Sequence, residues 1–96
     1  MSTDPLRTVR FRGVISCRRD GEGPLGLVLV GRTEDWPDET VQMAFACAAP
    51  ADLPEALEGV TVEQLGNRAY RLTSGSRSWL LNGVAHTHRD VASAFY

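Results

Sequence analysis

Ninety-six residues, 43% apolar and 23% charged, carry a formal charge of −2. This balance fits one globular domain with one core, leaves no room for a second, and excludes a chain disordered throughout. The missing basic excess sets nucleic acid aside as a partner, and no apolar run nears the ~18 residues of a membrane span, so the chain is read as cytoplasmic.

Residues 8–18 alternate, with Val9, Phe11, Ile15 and Cys17 on one face and Thr8, Arg10, Arg12, Ser16 and Arg18 on the other. That period of two predicts a half-buried first strand. Asp20-Gly21-Glu22-Gly23-Pro24 is turn chemistry, and the unbroken apolar run Leu25 to Val30 predicts a central strand. Residues 33–40 form an acidic loop around Trp36-Pro37, after which Val41, Met43, Phe45 and Cys47 line one face of a third strand. Its other face is Gln42, Ala44 and Ala46.

Ala48 to Leu57 turns to Ala, Pro, Leu and Glu, and Asp52 as N-cap with Gly59 as stop predicts a short helix there. Beyond it, Gly66-Asn67, Ser74-Gly75-Ser76 and Asn82-Gly83 punctuate stretches rich in Val, Tyr, Leu, Trp and Thr, which reads as a β-meander. Asn82-Gly83 suits a type I′ turn, so Ser78–Leu81 and Val84–Thr87 are expected to form a hairpin pairing Leu81 with Val84 and Trp79 with His86. Asp90 then caps a C-terminal helix over residues 91–96. Its shortness predicts that the natural polypeptide continues past Tyr96, making 1–96 a domain excised from a longer chain.

Together these elements predict an α+β fold. A predominantly antiparallel sheet of about six or seven strands would curl into a barrel-like or sandwich arrangement, with one short helix after strand three and a C-terminal helix.

Charge is distributed in blocks. Residues 1–33 hold six Arg against three acids, residues 34–63 hold eight acids and no base, and residues 64–96 hold four Arg against one acid. Such blocks are expected to serve one another, the acidic middle lying beside basic flanks in the fold or across a subunit interface. All ten basic residues are Arg, which marks a bacterial-type compositional bias. Two cysteines are too few for the disulfide framework of a small secreted domain, so both are expected reduced and buried as small hydrophobes.

Three groups of residues carry chemistry. His86 and His88 lie two apart, which on a strand puts both imidazoles on one face as a candidate metal pair, with Asp90, Cys17 or Cys47 as the third ligand such a site needs. Arg10, Arg12 and Arg18 form a stripe whose guanidinium groups suit a phosphate or carboxylate. Gln42, Ala44, Ala46 and Trp36 form a candidate interface, because small uncharged residues replace the charges an exposed strand normally shows, and an aromatic in a polar loop is an efficient anchor. Ser74, Ser76 and Ser78 fall near the histidines in sequence, but no nucleophile elbow and no phosphate-cradling glycine motif occurs, and no cofactor is implied. The expectation is therefore a binding or protein-interaction module without catalytic activity, engaging a protein partner or a second copy. A small metal-binding domain using His86 and His88, or a small hydrolase, are the alternatives.

Overall fold

The computed structural model describes residues 7–19 and 26–90. They form seven strands: β1 (Arg7–Arg19), β2 (Leu27–Thr33), β3 (Thr40–Phe45), β4 (Ala56–Gly66), β5 (Ala69–Ser74), β6 (Arg77–Asn82) and β7 (Ala85–Asp90). All belong to one antiparallel sheet of order β6-β5-β4-β1-β2-β3-β7, so the first strand in the chain is the middle strand of the sheet.

This corrects the α+β expectation, because the described residues contain no helix and the fold is all-β. Where a helix was expected, the chain makes a turn closed by Leu53 N–H donating to the Pro50 carbonyl (3.2 Å), and Ala56 already begins β4. Only five residues run from Pro50 to Pro54, little more than one turn, too short to nucleate and with a donor missing. Its ends are better satisfied elsewhere: Cys17 N–H donates to the Glu55 carbonyl at 2.7 Å, and a guanidinium nitrogen of Arg19 donates to the Leu53 carbonyl. The expected C-terminal helix and the turn over Asp20 to Pro24 lie outside the described residues.

The Asn82-Gly83 hairpin is also overturned. β6 pairs with β5, setting Trp79 against Leu72, whereas β7 pairs with β3, setting His86 against Ala44. Gly83 has no positive φ. It is glycine because a Cβ would meet the Ala46 carbonyl oxygen at 2.5 Å and Cys47 Cβ at 3.0 Å. The tight hairpin is instead Gly75-Ser76, joining β5 to β6, where Gly75 at φ +61° with a following residue at negative φ matches a type II′ turn.

The sheet is open yet bent over on itself, in place of the expected barrel or sandwich. β6 and β7 are its two edges; in a flat sheet of this width they would lie about 29 Å apart. Only Gly83 and Val84 connect them, a link that reaches at most about 11 Å. Gly83 N–H bonds to the Arg68 carbonyl and Ala46 N–H to the Val84 carbonyl, both at 2.8 Å, tying the two edges to one corner. The bend is made by glycine. The β1–β4 register slips between Phe11 and Val14, at Gly13 (φ +69°) and opposite Gly59 (φ +68°). On the other side of β1 the register slips opposite Gly31, where a Cβ would press on Ile15 Cγ1 at 3.0 Å. Three neighbouring strands thus carry glycine at one level, as bends in sheets require.

Bending closes the core. Phe11, Ile15, Cys17, Leu27, Leu29, Val41, Met43, Phe45, Val60, Val62, Tyr70, Leu72, Trp79 and Leu81 share the concave face, and Leu53 plugs it from the β3–β4 connection. Phe45 of β3 meets Tyr70 of β5 edge-to-face at 5.3 Å between ring centroids, although four strand spacings separate them along the sheet. No helix of the described residues is long and apolar enough to cross a membrane.

Candidate functional site

The bend leaves a cleft of about 490 Å³ where the start of β1 faces β7, lined by Arg7, Val9, Thr33, Asp35, Trp36, Val41, Ala85, His86 and Thr87. A smaller recess continues beneath it toward Met43, Val62, Gln64 and Tyr70, sharing Arg7, Val9, Ala85 and Thr87 with the larger one. Strand alternation builds the floor, because Val9, Val41, Ala85 and Thr87 project from the concave face. Thr33, the last residue of β2, is the one buried polar residue among those described. Its hydroxyl accepts from Trp36 N–H at 3.2 Å, and its carbonyl accepts from the same N–H at 3.3 Å. Glu39 N–H then bonds to the Trp36 carbonyl at 3.2 Å. Residues 34–39 are therefore two successive turns pinned on Thr33, and they hold the Trp36 ring 45% exposed at the mouth of the cleft.

This gives an apolar floor, one aromatic wall, hydroxyls from Thr33 and Thr87, and opposite charges from Arg7 and Asp35. Trp36 and the acidic loop are legible in the sequence. Arg7, Thr33 and Thr87 are not, because nothing in the alternation announces which strand ends meet after the sheet bends.

The other candidates are distributed over the sheet. His86 and His88 share one face of β7, as their spacing requires, and stand opposite Ala44 and Gln42 of β3. Among the described residues no three His, Cys, Asp or Glu gather closely enough to hold a metal ion. Cys17 is buried on the concave face, and Cys47 is half-buried just beyond β3. Burial raises both thiols above the ordinary range, opposed weakly by Arg19 at Cys17 and by a backbone hydrogen bond involving Asn82 at Cys47. Ser78 lies on β6 and His86 on β7, the opposite edges of the sheet.

Arg10, Arg12 and Arg18 are exposed on the convex face, but the Gly13 bulge divides them. Arg12 stands directly opposite Arg32 of β2, and Arg18 lies in a separate shallow depression with Arg19, Val28 and Gln42. Gln42 and Ala44 face outward from β3 and are half-buried between β2 and β7; Ala46 is exposed beyond the strand. Trp36 belongs to the cleft rather than to that face. The acidic middle does meet a basic flank: Arg71 binds Glu63 across the β4–β5 pair at 2.9 Å, and Arg77 approaches Asp52 at 3.9 Å. No protein-family model, curated protein or solved structure matches this chain.

Proposed function

We propose that the chain is a non-catalytic binding module, working in a reducing compartment, whose cleft takes a small amphipathic ligand with a flat apolar portion. The observation that carries this reading is the lining of the cleft. Ligand sites are typically concave and of some 300–1,000 Å³, with convergent polar groups that fix orientation, and this cleft presents more polar than apolar surface, His86 included. Val9, Val41 and Ala85 supply the apolar floor, Trp36 a stacking wall, Thr33 and Thr87 hydroxyls, and Arg7 and Asp35 the charges at the rim. The two free thiols suit a reducing setting.

The two tryptophans make the test direct, because Trp36 is 45% exposed and Trp79 only 6%. Titrating a panel of aromatic and heteroaromatic acids and amides should change the fluorescence of Trp36. The response should vanish in Trp36→Phe, and amide shifts should cluster at Val9, Thr33, Ala85 and Thr87. Binders whose shifts fall outside this cleft would displace the reading.

A second reading rests on the convex face of β2 and β3. Val28, Val30 and Ala44 there form a half-buried apolar strip beside Arg18 and Arg19. That surface suits an apolar protein partner with acidic flanks. Ala44→Arg, which should leave the fold intact, would abolish such docking while sparing the cleft.

A further inference from the structure

The two edges of the sheet are built differently. β7, at one edge, carries His86, Thr87 and His88 in succession, the polar dressing by which natural edges avoid pairing. β6, at the other edge, runs Ser78-Trp79-Leu80-Leu81-Asn82 with no charge and no proline after Arg77. It also has no bulge, because its register with β5 is unbroken from Ala69–Asn82 to Ser74–Arg77. Leu80 is 68% exposed on its convex side.

The hydrogen-bond phase of β6 follows from one bond. Gly83 N–H donates to the Arg68 carbonyl in register with the β5–β6 ladder, so residues 81, 79 and 77 exchange their bonds with β5. By the alternation of antiparallel ladders, Ser78, Leu80 and Asn82 turn their N–H and C=O groups to the open side. Among the described residues no backbone bond outside the strand ladders reaches Ser78 or Leu80, whereas the Asn82 backbone is bonded to the Cys47 thiol.

We propose that this edge pairs antiparallel with the β6 edge of a second copy of the chain, joining two sheets across a two-fold axis at Leu80. The sequence of β6 is its own complement in that register. Leu80 faces Leu80, Ser78 faces Asn82, and Trp79 faces Leu81. Ser78 and Leu80 of each copy offer two donors, and the pairing joins them to the Asn82 and Leu80 carbonyls opposite. No charge opposes a like charge, since Arg77 falls outside the paired segment. The edge is neutral, so a foreign strand would find no electrostatic address there, whereas a second copy meets a matched surface. Each chain has one β6, so the contact is isologous and closes at two.

The test uses the whole chain. Sedimentation from 1 to about 200 µM should show a concentration-dependent monomer–dimer equilibrium. Leu80→Lys puts two ammonium groups face to face on the axis, so it should weaken dimerisation at least about tenfold while leaving the melting temperature of the monomer within a few degrees. A cross-link keeps the proposal falsifiable should that variant fold poorly. In a Cys47→Ser background, mild oxidation of Leu80→Cys should give a covalent dimer joined through position 80, whereas Ser78→Cys, four residues out of register with itself, should not. A chain that is monomeric throughout, a dimer indifferent to Leu80→Lys, assembly beyond two, or cross-linking at 78 in preference to 80 would each overturn the proposal.

Discussion

Gly83 and Gly75 sit one at either end of β6 and are glycine for different reasons, which makes them separable by mutation. Gly75 has φ +61° and open space where a Cβ would go. Alanine there costs about 1–3 kcal/mol of backbone strain and nothing in packing. At Gly83 the added Cβ would press on the backbone of Ala46, which the corner of the sheet holds in place, so the cost should exceed about 3 kcal/mol. Urea midpoints for Gly75→Ala and Gly83→Ala should fall in that order, and equal midpoints would show that the corner yields. The sequence announces a glycine after Asn82 but not its purpose, because turn chemistry and close approach select the same residue.

Cys17 supplies a pH dependence at the same scale. Burial raises its folded pKa, so the unfolded chain loses the thiol proton first. Stability is therefore full below the ordinary thiol range of about 8.5 and declines as pH rises through it. Cys17→Val keeps an apolar side chain there and removes the titration. The variant should gain on the wild type between pH 8 and pH 10 in thermal melts, and a constant difference would refute the linkage. Both thiols should also label slowly with maleimide at pH 7, Cys17 more slowly than the half-buried Cys47.

At the scale of elements, period-two alternation in residues 8–18, the run before Val30 and the pattern around Val41 to Phe45 were sufficient to place β1, β2 and β3. What alternation could not supply was partnership. Ser78–Asn82 and Ala85–Thr87 are both strands, yet they belong to opposite edges, because the pairing partners are chosen by faces buried after the sheet bends. The missing helix has a comparable cause. Asp52 and Gly59 are sound capping signals, but Gly59 serves a bulge in β4, and Asp52 lies in a connection whose purpose is to seat Leu53. That connection should therefore behave as core. Leu53→Ala should cost about 2–5 kcal/mol, as for a buried leucine, against less than about 1 kcal/mol for Leu65→Ala, which is 41% exposed. Similar losses in chemical denaturation would mean that the connection lies on the surface.

At the scale of the whole molecule, β1 is the middle strand, and it pairs with β2 nearby in sequence and with β4 some forty residues farther along. Neither half of the sheet can bury its concave face alone. β2, β3 and β7 offer Leu29, Met43 and Phe45, while β4, β5 and β6 offer Val62, Tyr70 and Trp79, and the Phe45–Tyr70 contact joins them. The loop closures that bring β4 to β1 come before that burial can repay them, which places folding in the millisecond-to-second range of non-local β-proteins. It also makes the two halves one cooperative unit. Trp36 sits in the β2–β3 connection and Trp79 on β6, so each tryptophan reports on its own half. Urea unfolding followed in Trp79→Phe by the fluorescence of Trp36, and in Trp36→Phe by that of Trp79, should give transitions of equal steepness, each coincident with the loss of far-ultraviolet circular dichroism in the same variant. A fluorescence transition that precedes the loss of strand signal in either variant would show that the bend is a junction between two separately stable sheets. The shared core argues against this, because each half by itself would expose the residues that the other now covers.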